Sequence, residues 1–311
     1  MNKNSKVYVA GHTGLVGSNL IKALYSRGYN NIIYYTHRGL GGLDLLNQKE
    51  VTNMFDTQRP EYVFLCAARV GGIKANDDLC ADFIYENTRI QINIIKACHD
   101  YKVNKLLFLG SSCIYPKSVD TPIKESSLLE SVLEETNIGY AIAKINGIKM
   151  CQLFNKQYGD VFISIMPTNL YGRGDTYDLQ KGHVFSTLIM NIHKAKVTNA
   201  PCIELWGSGK PLREFLFVED FADALIFLMN DYSSPEIINV GTGKDIPVYD
   251  LTKLMCVIIG YEGKIVFDSS KPDGTYRKVM DVSKINSLGW EASTSLRDGI
   301  IKTYQYYQET L

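Results

Sequence analysis

Short apolar, β-branched runs alternate with stretches of helical period along the first half of the chain. Val7-Tyr8-Val9-Ala10 opens the series, and Leu20, Ile21 and Leu24 follow at spacings that share one helix face. Ile32-Ile33-Tyr34-Tyr35-Thr36, Tyr62 to Ala68, Lys105 to Gly110 and Phe162 to Met166 read as further strands. Between two of these runs, residues 87–99 place Ile90, Ile94, Ile95 and Ala97 at helical intervals. Strands that alternate with helices predict an α/β fold built on a doubly wound parallel sheet. Such sheets bind ligands beyond the carboxyl ends of their strands.

The pattern changes after Tyr171-Gly172. A polar loop, 173–182, precedes a helical run from Val184 to Ile192, and Ile203-Glu204-Leu205-Trp206-Gly207 reads as a strand. Val218-Glu219-Asp220 opens a helix that runs through Met229, and Ile237 to Gly241 is one more strand. The chain shows no internal repeat, no low-complexity segment and no linker that splits it cleanly.

The 311 residues suffice for a large core and for two domains. Lysines plus arginines and aspartates plus glutamates both number 33, so the formal net charge is zero, which argues against a surface that coats nucleic acid. Seven cysteines are scattered without a C-x-x-C pair, which suits a reduced, cytoplasmic protein with no structural zinc and no disulfide framework. The histidines form no ligand pattern, so no metal is expected. The first apolar run is too short for a signal peptide or a membrane span.

Two constellations carry chemistry. The first strand ends in Gly11-His12-Thr13-Gly14-Leu15-Val16-Gly17, spaced G-x-x-G-x-x-G and opening a helix. That order puts backbone N–H groups and a helix N-terminus against a pyrophosphate. The second strand ends at Arg38 where an NAD-selective site would carry an acid, so a guanidinium for a 2′-phosphate is expected and the cofactor is read as NADP(H). Asp44 and Leu45 would lie near its adenine edge. The second constellation is Ser111 and Cys113, just past a strand end, with Tyr140 and Lys144 one helical turn apart. An ammonium beside a phenol favours the phenolate, and a hydroxyl polarises a carbonyl, which together equip a ketone reductase. Reduction alone has no use for the thiol.

These residues resemble the extended short-chain dehydrogenase/reductases, and more specifically the GDP-L-fucose synthase family of 3,5-epimerase-4-reductases. The resemblance spans nearly the whole chain. It includes A-G-H-T-G-L-V-G-S at 10–18, A-A-R-V-G-G-I-K-A-N at 67–76, F-L-G-S-S-C-I-Y-P at 108–116 and Y-A-I-A-K at 140–144. M-P-T-N-L-Y-G at 166–172, W-G-S-G-K-P-L-R-E-F at 206–215 and K-P-D-G-T-Y-R-K at 271–278 extend it. It implies that Tyr140 protonates the developing alkoxide at C4 of a GDP-linked 4-keto-6-deoxy sugar while Ser111 polarises the ketone. It further implies that Lys144 lowers the tyrosine pKa, and that Cys113 and His183 act as base and acid in epimerisation at C3 and C5. Cofactor contacts are implied for Leu109, Pro167, Asn169, Leu170 and His183, besides the glycine loop, Tyr140 and Lys144. Sugar-nucleotide contacts are implied for Asn169, Asn191, Trp206, Arg213 and Asp273, with 271–278 as a loop closing on the nucleotide. The domains would interleave: 1–168 with 219–245 for NADP(H), and 169–218 with 246–311 for the sugar nucleotide. A homodimer is implied as well.

Three departures from the family cluster away from the hydride-transfer residues. Residues 175–184 replace the usual Asp-Asn-Phe…Ser-His-Val, Asn191 stands where a cation is usual, and Thr13 replaces a basic residue. A C4-reductase without epimerase activity, acting on a related GDP-4-keto sugar such as a heptose, is therefore the alternative. A 4,6-dehydratase is disfavoured because Cys113-Ile114 occupies the place of its Asp-Glu, and a non-catalytic NADP(H) sensor would have no need of serine, tyrosine and lysine together.

Overall fold

The computed structural model describes residues 1–36, 42–178, 182–270 and 273–311. Its first half runs β1 (Val7–Ala10), α1 (Leu15–Ser26), β2 (Ile32–Ile33), α2 (Gln48–Gln58), β3 (Tyr62–Leu65), α3 (Ile73–Asp78), α4 (Cys80–Asp100), β4 (Lys105–Leu109), α5 (Ile138–Tyr158) and β5 (Phe162–Pro167). The second half continues with β6 (Asn169–Tyr171), α6 (Val184–Val197), β7 (Cys202–Trp206), β8 (Leu212–Phe217), α7 (Val218–Asp231), β9 (Ile238–Val240), β10 (Asp245–Pro247) and α8 (Val248–Ile259). It closes with β11 (Lys264–Asp268), β12 (Arg277–Lys278), α9 (Ser283–Ser287) and α10 (Leu296–Glu309).

The expected doubly wound sheet is present, with parallel strands in the order β2-β1-β3-β4-β5-β9. Strands β1, β4 and β5 are buried along their whole length, as uninterrupted apolar runs require when helices cover both faces. One core packs α2, α4 and α5 on one face through Phe55, Ile94, Phe108 and Ile148. The other packs α1 and α7 on the opposite face through Leu20, Leu24, Phe221 and Leu225. After β1 the chain steps outward to β2 and then returns to β3, so the sheet reverses direction between β1 and β3, where the glycine loop emerges.

Three elements differ from their sequence expectation. Strand β2 holds two residues rather than five, because Tyr34 leaves the edge of the sheet and stacks on His12 of the glycine loop. Strand β3 stops at Leu65, so the last three residues of that apolar run belong to the site. Helix α4 starts at Cys80, seven residues before Asn87, without an N-cap side chain to mark it.

The second half adds a small sheet in the order β10-β8-β12, with β6 also on β8, and a β7–β11 pair. Helices α6, α8 and α10 enclose a third core around Phe185, Ile189, Met255 and Ile300. Glu214 on β8, fully buried, links the halves. Its carboxylate accepts hydrogen bonds from the backbone N–H groups of Thr242 (2.6 Å), Gly243 (2.8 Å) and Met280 (2.8 Å). Its carbonyl accepts from Asn169 Nδ2 (2.8 Å) and from the Thr168 hydroxyl (3.3 Å).

Candidate functional site

The glycine loop is dictated by packing. Gly11 has φ +88°, and a Cβ there would lie 2.7 Å from the Ala67 backbone. A Cβ on Gly17 would strike the Gly11 carbonyl. Gly14 caps α1 without a side-chain hydrogen bond and is exposed, as is Thr13, so the helix N-terminus at Leu15 and Val16 presents its N–H groups outward. That is a seat for an anion. Buried Asn19 braces it from below, donating to Leu15 O and to Arg173 O, both at 2.7 Å. His12 stacks on Tyr34 with ring centroids 4.8 Å apart. Arg38, the expected 2′-phosphate clamp, lies outside the described residues. Asp44 accepts from Leu46 N–H (3.0 Å), and the Leu45 carbonyl accepts from Asn93 Nδ2 (2.8 Å), which fixes the segment beyond β2.

At the end of β4 the chain makes a single 3-10 turn, Ser112–Ile114, which Ser111 caps by accepting from Cys113 N–H at 3.1 Å. Ser111 also acts on the nearby Tyr140 phenol, favouring its ionised form. Tyr115 O–H donates to buried Asn239 (2.5 Å), whose Nδ2 donates to the carbonyls of Ile123 and Asp281, so the turn is pinned to β9. On α5, fully buried Lys144 donates to Leu109 O (2.7 Å) and lies 5.7 Å from the Tyr140 ring centroid. Close packing makes this possible: a Cβ on Gly147 would strike the Phe108 ring on β4.

Electrostatics here differ from the expectation of a lysine-stabilised phenolate. Burial, reinforced by the nearby Cys113, pushes the Tyr140 phenol well above its ordinary pKa, and Ser111 offsets only part of this. The ammonium is turned toward the Leu109 carbonyl, and burial pulls the Lys144 pKa down to about 8. Tyr140 is therefore held as a phenol at neutral pH, the form that donates a proton.

Cys113 has a neighbour that sequence reading passed over. Lys278 on β12 places Nζ 3.9 Å from Cys113 Sγ. The 271–278 segment was expected to be a loop, yet its last two residues pair with Leu212 and Arg213 of β8, which aligns Lys278 beside Arg213. The signal was hidden because the contact depends on the register of a two-residue strand. The cleft at Cys113 is lined further by Lys117, Glu134, Asn137 and Arg277. Lys117 pairs with Glu134 (3.3 Å), and Arg277 pairs with Asp245 (2.5 Å).

The remaining candidates lie on the second half. His183 is exposed at the N-cap of α6, beyond the hydrogen bonds of the Ser111–Cys113–Tyr140–Lys144 group. Pro167 closes β5, Asn169 and Leu170 form β6, and Asn191 sits half-buried on α6. Trp206 is 65% exposed at the end of β7, which sets aside ordinary core packing as its role. Half-buried Arg213 donates to Leu212 O (2.8 Å), and burial lowers its pKa against the pull of Asp273. Asp273 accepts from Ser208 N–H (2.6 Å) and Ser208 Oγ (2.8 Å), holding the Gly207–Gly209 turn against the segment that follows it. These bonds hold its carboxyl below the usual carboxylate range.

The sequence profile of the NAD dependent epimerase/dehydratase family matches residues 7–241. A putative GDP-L-fucose synthase 2 of Arabidopsis thaliana is 50% identical over 311 residues, covering 100% of this chain and 94% of that protein. The GDP-L-fucose synthase of Escherichia coli K12 is 46% identical over 313 residues, covering 98% and 97% respectively. Among solved structures, MlghC, a GDP-mannoheptose C4 reductase from Campylobacter jejuni with NADP bound, superposes with a TM-score of 0.90 at 36% identity over 99% of each chain. The chain belongs to the NAD dependent epimerase/dehydratase family, within the GDP-L-fucose synthase branch of the extended short-chain dehydrogenase/reductases.

Proposed function

We propose that the protein is an NADPH-dependent reductase of the C4 ketone of a GDP-4-keto-6-deoxy sugar that also epimerises C3 and C5. One observation carries the reading. Ser111 holds the Cys113 turn by accepting from Cys113 N–H and draws down the pKa of the nearby Tyr140 phenol, so the thiol and the candidate proton donor converge on one strand end. The uncapped, glycine-built N-terminus of α1 suits a pyrophosphate, with Gly11, Thr13, Gly14, Leu15, Val16 and Gly17 around it. When bound, NADPH supplies the hydride that reduces C4.

The chain's own residues do the rest. Ser111 polarises the ketone oxygen, and Tyr140 delivers a proton to it as charge develops there. Lys144 keeps a positive charge at the base of the site below about pH 8. For epimerisation, Cys113, with Lys278 Nζ 3.9 Å from its sulfur, removes the protons flanking the carbonyl, and His183 supplies protons on the opposite face. Arg213, Trp206, Asn169 and Asn191 line the sugar-nucleotide side, with Asp273 bracing the turn beneath Trp206. Residues 1–168 and 219–245 would hold the cofactor, and 169–218 with 246–311 the sugar nucleotide. Tyr85 and Ile92 on α4 and Ile142 and Leu153 on α5 are exposed apolar residues on paired helices, which suits a homodimer. Sedimentation at the mass of a single chain would refute that assembly.

Incubation with GDP-4-keto-6-deoxy-mannose and NADPH in D₂O tests the activity. Wild-type protein should yield a reduced, inverted sugar with deuterium at C3 and C5. Cys113→Ala should reduce an already epimerised 4-keto substrate at close to the wild-type rate and lose exchange by about a hundredfold. A product reduced but unexchanged in the wild type would instead establish a C4-reductase alone.

A further inference from the structure

We infer that Asp175 is a positioning residue for His183, orienting its imidazole through the carboxylate oxygen Oδ2. The inference rests on the reading of His183 as the proton donor in epimerisation and adds a residue that this reading lacked.

Asp175 follows the Tyr171–Gly174 turn and donates its N–H to Gly172 O (3.2 Å). One carboxylate oxygen, Oδ1, accepts from Thr176 N–H at 2.8 Å. The other, Oδ2, is buried and has no hydrogen-bond partner among the described residues. A buried oxygen left without a donor costs on the order of 1–3 kcal/mol, so a purely structural acid would be expected to have both oxygens paired.

The surroundings aim this carboxylate at the start of α6. Fully buried Ser186 donates to His183 O at 3.1 Å, and Ser186 offsets part of the burial that lifts the Asp175 carboxyl. Nearby His183 also offsets part of that effect of burial on Asp175. Gly182 precedes the histidine because the two segments lie in contact: a Cβ there would sit 3.0 Å from Thr176 O and 3.1 Å from Thr187 Oγ1. The Asp175 segment is itself held from three sides. Asn19 donates to Arg173 O, the Arg173 guanidinium lies 4.9 Å from the Tyr306 ring centroid, and Tyr177 packs on Tyr307 at 4.5 Å. A fixed carboxylate with a free lone pair next to an exposed imidazole is the usual means of choosing a tautomer. An N–H given to Oδ2 leaves the second ring nitrogen to face the sugar.

A double-mutant cycle in D₂O decides the matter, with thermal melting and NADPH binding as controls for folding. Asp175→Asn keeps the shape of the side chain. It should lower exchange at C3 and C5 by about tenfold or more through kcat, leaving KM and C4 reduction of an epimerised substrate in place. In the His183→Gln background the same change should have no further effect. The ¹⁵N resonances of the His183 ring, identified by their loss in His183→Gln, should move in Asp175→Asn. If His183→Gln exchanges like wild type, the reading of His183 fails and this inference falls with it. If His183→Gln loses exchange while Asp175→Asn keeps it, or if the two losses are additive, Asp175 does not act through His183.

Discussion

Tyr140→Phe is expected to bind NADPH as the wild type does and to reduce the 4-keto sugar at least a hundredfold more slowly. The argument runs from position to protonation. Tyr140 lies one turn before Lys144 on α5, its phenol feels the nearby Ser111, and burial holds it protonated at neutral pH. Phenylalanine keeps the ring and its edge contact with Phe83, 6.4 Å between centroids, so the helix and the cofactor seat should stay intact. Only the transferable proton is lost, and the loss should fall on kcat. The pH profile supplies an independent check. Lys144 is an ammonium below its pKa of about 8 and neutral above it, so wild-type kcat/KM should decline as pH rises through about 8. Wild-type turnover by Tyr140→Phe would remove the assigned proton donor.

How much of this was legible in the sequence depended on whether the signal was local. The glycine loop, the Ser111–Cys113 turn and the Tyr140–Lys144 pair each sit inside a few consecutive residues, and their order after a strand or on a helix already implies their geometry. The long buried strands could be read because apolar runs leave no choice of face. The small sheet could not: β6 and β10 hold three residues each and β12 two, too short for any periodicity. Their existence depends on pairing with β8, 31 to 65 residues away, which also explains why Lys278 was overlooked beside Cys113. The protonation of Tyr140 could not be read from spacing alone for a related reason. Spacing places the lysine one turn away, but only the fold shows that its ammonium is directed to the Leu109 carbonyl. Glu214 and Asp175 were invisible as well, since nothing in the sequence distinguishes a buried carboxylate from a solvated one.

Glu214→Ala should lower stability by about 4 kcal/mol, seen as a melting temperature roughly 10 °C lower. Three backbone N–H groups, on Thr242, Gly243 and Met280, converge on this one side chain and each would lose its acceptor, the Met280 N–H in a fully buried setting. The charge itself is not the source of the stability. Burial outweighs these hydrogen bonds and lifts the carboxyl above its usual range, so this group's own contribution is greatest at low pH and declines as pH rises through its folded pKa. What the carboxylate provides is acceptors in the right places, which predicts a graded series. Glu214→Gln can keep the bonds from Thr242 and Gly243 but turns an amide donor toward Met280 N–H, and should lose about 1–3 kcal/mol. Activity should follow stability for a geometric reason. Met280 lies two residues past Lys278, and the Glu214 carbonyl holds Thr168 and Asn169 at the sugar side of the sheet. Loosening this hub should therefore weaken epimerisation in folded Glu214→Gln more than it weakens NADPH binding at α1. An alanine variant that melts within 1 °C of wild type would mean that water satisfies the three N–H groups as well as the carboxylate does.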